Sequence, residues 1–227
     1  MITIETLCVR LGGQTVLDGV TMHLSQNAVH GLAGINGAGK TTLMNAMYGF
    51  VTPTAGGIFL DGHPLRRHDV AFLETVNYFY PGMTGRDYLD LVRHYHPSSD
   101  PQTYVRCFNL PLDTPIAACS EGARKKLAFA AVMMQRKRVL LLDEPFNGLD
   151  MESVFVAQQL ILAAKGEGRT VLVSSHVLPT LEPVCDDLYL LDGGRISRHY
   201  DRTEFSRAAR ELEQFFRSRY ELGIPEK

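Results

Sequence analysis

The stretch Gly34-Ile-Asn-Gly-Ala-Gly-Lys-Thr-Thr42 restricts the possible folds of this chain more than any other feature. It fits G-x-x-x-x-G-K-[ST]. An apolar run, Val29 to Ile35, leads into it and a helix-like run, Thr41 to Phe50, leads out of it. That strand, loop and helix sequence is the context the pattern requires. Gly34, Gly37 and Gly39 leave the backbone free to wrap an anion without a Cβ in the way, and Asn36, Ala38 and Thr42 complete the loop. Loop N–H groups and the following helix N-terminus aim positive dipole ends at phosphate oxygens. Lys40 adds a full charge for the outer phosphates, and the Thr41 hydroxyl suits Mg²⁺. The ligand implied is a nucleoside triphosphate with its magnesium.

Bulk properties narrow the class. With 227 residues the chain is long for one domain and short for two, and it can bury a sizeable core. A net charge of -2 supplies no basic field, so a nucleic-acid partner is not expected. The Arg66-Arg67 and Arg136-Lys137-Arg138 clusters read as solvated faces. No apolar run approaches the ~18 residues of a membrane span, and Met1 to Glu5 lacks the charged flank and apolar stretch of a secretion signal. Cys8, Cys107, Cys119 and Cys185 have no metal-ligand spacing, which predicts reduced thiols in the cytosol.

Along the chain, strands are predicted at Ile2 to Arg10 and Val16 to Leu24 around a Gly12-Gly13 turn, and at Ile58 to Leu60. A helix-rich middle follows. Tyr88, Leu91, Val92 and Tyr95 fall at i, i+3, i+4 and i+7 behind Thr84 as N-cap, and Pro97 and Pro101 break that helix from the next. Val139 to Leu142 and Thr170 to Ser174 are short apolar runs, as in strands buried on both faces, with a helix near Glu152 to Lys165 between them. Strand alternating with helix means an α/β fold with a parallel sheet. Phe205, Ala209, Leu212 and Phe216 form a helical stripe near the C-terminus.

Two further elements carry chemistry. Val139-Leu-Leu-Leu-Asp-Glu144 is a buried strand delivering carboxylates to the crevice at the sheet's C-terminal edge. Asp143 suits Mg²⁺ as a metal ligand, and Glu144 suits a general base acting on water. His176 follows the strand Val171 to Ser175, at a third strand end within reach of a γ-phosphate.

These elements in this order resemble the ATPase subunits of ABC transporters, a P-loop NTPase family, over about residues 2–200. Gly34 to Thr42 looks like the Walker A loop and Val139 to Glu144 like Walker B with its catalytic glutamate. Asn147-Gly-Leu-Asp150 is similar to the D-loop, His176 to the switch histidine, and Ser120 to Leu127 occupies the place of the signature, usually L-S-G-G-Q. The resemblance implies one domain. A core of about 1–76 and 138–200, containing an N-terminal antiparallel β part and a central mainly parallel sheet, would flank a helical subdomain at about 77–137 and precede a C-terminal helix at about 202–220. It implies ATP and Mg²⁺ as ligands. It implies as partners a second ATPase subunit, forming a homodimer or heterodimer, and transmembrane permease subunits, with the chain cytoplasmic and peripheral on the membrane. In such pairs each ATP lies between one Walker A and the opposing signature, so Ser120 and Gly122 would contact nucleotide held by the partner.

Three departures qualify that implication. Glu121 stands where the family has a glycine. It suits the first turn of a helix capped by Ser120, yet it is a like charge to a docking γ-phosphate, which Arg124 and Lys125 would offset in part. The Gln that normally contacts Mg²⁺ has no counterpart before Asn77-Tyr-Phe-Tyr-Pro81, and Tyr78, Phe79 and Tyr80 read equally as a docking surface or as an aromatic core cluster. Leu11 aligns where an aromatic stacks on adenine, so base choice is expected to loosen. Two readings stand: an ATP-hydrolysing transport subunit, favoured because Glu144 is retained, or an ATP-clamping regulatory subunit of a heterodimer. A small-molecule kinase would need neither Asn147 to Asp150 nor the residual signature.

Overall fold

A computed structural model describes residues 1–211. Strands β1 (Ile2–Leu11) and β2 (Gln14–Leu24) form a hairpin across the Gly12-Gly13 turn. Strand β3 (Val29–Ala33) leads through the glycine-rich loop into α1 (Lys40–Tyr48), followed by β4 (Ala55–Leu60), β5 (His63–Pro64) and β6 (Val70–Leu73). Helices α2 (Gly85–Tyr95), α3 (Gln102–Phe108) and α4 (Glu121–Met134) come next. The chain then runs through β7 (Val139–Asp143), α5 (Met151–Gly166), β8 (Thr170–Ser175), α6 (Leu178–Leu181), β9 (Asp187–Asp192) and β10 (Arg195–Asp201).

Two sheets result. One is antiparallel, in the order β2-β1-β4-β5; the other has six strands in the order β10-β9-β3-β8-β7-β6. In the second, β9, β3, β8, β7 and β6 run parallel, and β10 closes one edge antiparallel to β9. The fold is α/β, as expected, and the pleat explains how one sheet serves two cores. Val139 and Leu141 of β7 and Leu172 of β8 face α1 and the antiparallel sheet. Their neighbours Leu140, Leu142, Val171 and Val173 face the opposite core, which contains α4 and α5 residues such as Phe129, Ala157 and Ile161. Successive strand residues point to opposite faces, so strands apolar at every position must be covered on both.

Helix α2 begins as its sequence requires: the Thr84 hydroxyl accepts from the Asp87 amide, and the Asp87 carboxylate accepts from the Thr84 amide. Its buried face differs from the predicted stripe. Gly85 and Leu89 are buried, whereas Tyr95 is 72% exposed. The covered line is therefore Gly85, Leu89 and Val92, with Tyr88 at its border, because α2 packs on α4 along one side only. Strands β6, β9 and β10 were not predicted. At the C-terminal end a 3₁₀ turn at Arg202–Glu204 precedes a helical stretch over 205–211. Phe205 packs into the core, while Leu212 and Phe216 of the predicted stripe lie outside the described residues.

Candidate functional site

Parallel pairing brings the C-terminal ends of β3, β7 and β8 side by side, with Ala33 opposite Ser175 and Asp143 opposite Ser174. The loop after each strand opens on the same edge, where open α/β sheets hold ligands. A cleft of about 390 Å³ lies there. Its walls come from Asn36, Gly37, Gly39, Lys40, Thr41 and Thr42 of the glycine-rich loop, with Glu144 and His176 from the neighbouring strand ends. Four lining residues went unrecognised as site residues: Val16, Ile35, Thr75 and Asn147.

Local geometry explains the loop. Gly39 sits at φ 108°, and a Cβ there would meet Leu17 Cδ2 at 2.8 Å, so both backbone and space demand glycine. It opens α1, whose first residue, Lys40, is buried. The Lys40 ammonium donates to the Gly34 carbonyl at 2.8 Å and lies 3.4 Å from Glu144 Oε1. Gly34 and Ala38 are buried beneath the cleft rather than lining it.

Asp143 is fully buried and its carboxylate accepts from three hydroxyl donors. Thr41 and Thr75 both donate to Oδ2 at 2.7 Å, and Ser174 donates to Oδ1 at 2.5 Å. Ser174 Oγ in turn accepts the Glu144 amide at 2.9 Å. Glu144 adopts φ 48°, in the left-handed region, which aims its side chain into the cleft. Its Oε1 meets His176 Nδ1 at 3.0 Å, and its Oε2 is buried without a hydrogen-bond partner among the described residues. A buried carboxylate oxygen left without a partner is costly, and Glu144 carries one while also lining the cleft.

No group of three or more His, Cys, Asp or Glu side chains able to hold a metal occurs among the described residues. Thr41 and Asp143 nevertheless suit Mg²⁺, which binds through one or two protein oxygens, phosphates and several waters rather than a protein cage.

Three expected contacts are not gathered in this cleft. Leu11 ends β1 with 45% exposure, and Val16 lines the cleft instead. Ser120 and Gly122 stand at the start of α4, outside the lining. Ser120 caps that helix by accepting the Ala123 amide at 3.2 Å. Gly122 lies so close to the Asn147-to-Asp150 loop that a Cβ would meet the Gly148 carbonyl at 2.8 Å, and the Glu121 side chain lies alongside Gly148. Lys125 does not attend Glu121 as expected. It is turned inward, with its ammonium 3.4 Å from the carbonyls of both Glu74 and Thr75. Burial holds that ammonium below its ordinary pKa, against the pull of Asp143, Glu144 and Glu121. Nearby, burial and then the Asp143 charge push the Glu74 carboxyl up.

The aromatic run after β6 divides. Phe79 packs edge-on against Tyr88 at 5.0 Å, while Tyr78 and Tyr80 pair at 5.7 Å on the surface beside exposed Val76. No helix among the described residues is long and apolar enough to cross a membrane.

Fold and cleft together define a P-loop nucleotide-binding domain. The ABC transporter family model matches residues 17–147. The chain belongs to that family. It is 32% identical over 81% of its length to the Bacillus subtilis ABC transporter ATP-binding protein YcbN, of which it spans 64%. It is 29% identical over 90% of its length to the lantibiotic transport ATP-binding protein SrtF of Streptococcus pyogenes, of which it spans 93%. Among solved structures, an ATP-binding subunit of an ABC transporter superposes with a TM-score of 0.83 at 25% identity, covering 93% of this chain and 94% of that one. An ATP-bound bacterial Atm1-family exporter shares the fold, with a TM-score of 0.84 at 18% identity over 100% of this chain and 42% of that one.

Proposed function

We propose that this chain is an ATP-hydrolysing subunit that powers transport through separate membrane-spanning permease subunits. The observation that carries the reading is Glu144: a cleft-lining carboxylate whose Oε1 lies between Lys40 and His176 and whose Oε2 is buried without a partner among the described residues. In this reading the amides of residues 36–42 and the Lys40 ammonium bind the phosphates of ATP. Thr41 and Asp143 hold Mg²⁺, which when bound supplies positive charge against the phosphate oxygens. Glu144 orients water and takes its proton as general base. His176 fixes the direction of Glu144 by the hydrogen bond on Oε1. Val16, an aliphatic side chain, faces the nucleotide where an aromatic would stack, so selectivity among bases is weak.

The chain works as one half of a pair, with Ser120 and Gly122 reaching ATP held by the opposing subunit. The exposed Tyr78 and Tyr80, beside Val76, form part of the surface that meets the permease on the cytoplasmic face of the membrane. Relatives named for lantibiotic transport and for Nod factor export support a role in transport, and in this reading the membrane subunits set which compound moves. A second reading, a clamping subunit that turns over slowly, is favoured by one observation: Glu121 at the start of α4 puts a negative charge where the partner's ATP would dock.

The test is Glu144→Gln. Turnover is expected to fall by about 10²–10⁴-fold, the range a general base contributes, while ATP affinity by calorimetry is retained. Equal turnover in the variant and the wild type overturns the assignment of Glu144. Negligible wild-type turnover in the presence of the native permease favours the clamping reading.

A further inference from the structure

We infer that Lys125 is a positioning residue that ties α4 to the metal side of the cleft by holding Thr75 against Asp143. Lys125 is 6% exposed, and the two oxygens it approaches are consecutive backbone carbonyls, Glu74 and Thr75, at 3.4 Å each. Those residues form the exit from β6. One residue's side chain completes the connection, because Thr75 Oγ donates to Asp143 Oδ2 at 2.7 Å, the same oxygen that Thr41 reaches at 2.7 Å. An ammonium on two successive carbonyls restrains the two peptide planes that meet at the Thr75 Cα, and with them the direction of the Thr75 side chain.

Burying a cation without a carboxylate in contact is unfavourable, so its inward orientation calls for a compensating role. Surface placement was open to it: Arg124 and Lys126 on either side are each more exposed. The helix it belongs to starts at Ser120, the residue proposed to face the partner's ATP. A shift of α4 on closure of the pair would therefore be felt at Thr75 and Asp143 in this subunit's own site. The inference rests on the functional reading above.

Bare electrostatics and positioning predict opposite results. Deleting a cation beside Asp143 and Glu144 would by itself tighten Mg²⁺. Freeing Thr75 would loosen it, since partners that orient a metal ligand are typically worth about 10–100-fold in metal affinity. The experiment is calorimetry of a non-hydrolysable ATP analogue with and without Mg²⁺, read as the ratio of the two affinities. Lys125→Met and Thr75→Val are each expected to lower that ratio about tenfold. The double variant is expected to lose no more than either single one, because both act on one contact. Lys125→Arg, whose planar fork can serve two carbonyls, restores the ratio.

An unchanged or raised ratio in Lys125→Met, or additive losses in the double variant, overturns the inference even if the melting temperature falls. Should Lys125→Met not fold, Thr75→Val carries the test, and an unchanged or raised ratio there overturns the inference. A wild type that binds the analogue without regard to Mg²⁺ overturns the functional reading itself, and so is distinguishable from failure of this inference alone.

Discussion

Lys40 and Glu144 show how single side chains are set by backbone geometry. Lys40 follows a glycine at φ 108° and Glu144 itself sits at φ 48°, both unfavourable for ordinary residues. Such strain persists where the surroundings over-determine it, and it clusters at functional sites. Lys40→Ala removes the ammonium that reaches both the Gly34 carbonyl and Glu144. Calorimetry is expected to show loss of ATP binding, and an unchanged affinity would remove Lys40 from the phosphate site. These two residues were legible because each belongs to a pattern with few other uses. Thr75 was not: a threonine after Glu74 in no recognisable spacing gives no sign that its hydroxyl meets a carboxylate 68 positions away. Lys125 was misread for a related reason. It was expected to offset the Glu121 charge together with Arg124, and only packing reveals that its side chain points in.

Among the elements, strands were legible where apolar runs were long or flanked by turn residues, as at β1, β2, β7 and β8. Strand β6 has four residues at a sheet edge, too short to display a period. Strand β9 is apolar at four successive positions, Leu188 to Leu191, a pattern shared with buried helix segments. Helix starts were clearer, since caps use few residue types. Asp150 caps α5 by accepting the Ser153 amide at 2.8 Å, and that backbone hydrogen bond holds its carboxyl below the usual value of 3.8. A carboxyl depressed on folding stabilises the native state fully above its unfolded pKa, and the contribution is lost as pH falls through the folded one. Asp150→Asn keeps a good cap and abolishes the titration. Urea denaturation is therefore expected to show near-wild-type stability at neutral pH and a shallower loss below 3.8. An unchanged acid limb would mean the cap contributes nothing there.

At the scale of the whole molecule, Glu121 is the residue that would limit closure of the proposed pair. Its carboxylate lies alongside Gly148, at the end of α4 that the proposed dimer presents to a γ-phosphate. At ~5 Å and an effective dielectric of ~20 the repulsion is on the order of 3 kcal/mol; because Glu121 is exposed, solvent and salt reduce it well below that. Lys125 gives little relief, being committed to the carbonyls of Glu74 and Thr75, which leaves Arg124 nearby. Removing the charge by Glu121→Gly should raise ATPase activity and the ATP-dependent dimer fraction seen by size-exclusion chromatography. The same change puts glycine into the first turn of a helix, at a cost of roughly 0.5–1 kcal/mol, so thermal stability should fall while activity rises. Opposite movement of the two readouts separates a charge effect on closure from general destabilisation. Activity that stays level or declines with the melting temperature would show that this carboxylate does not oppose the partner's nucleotide.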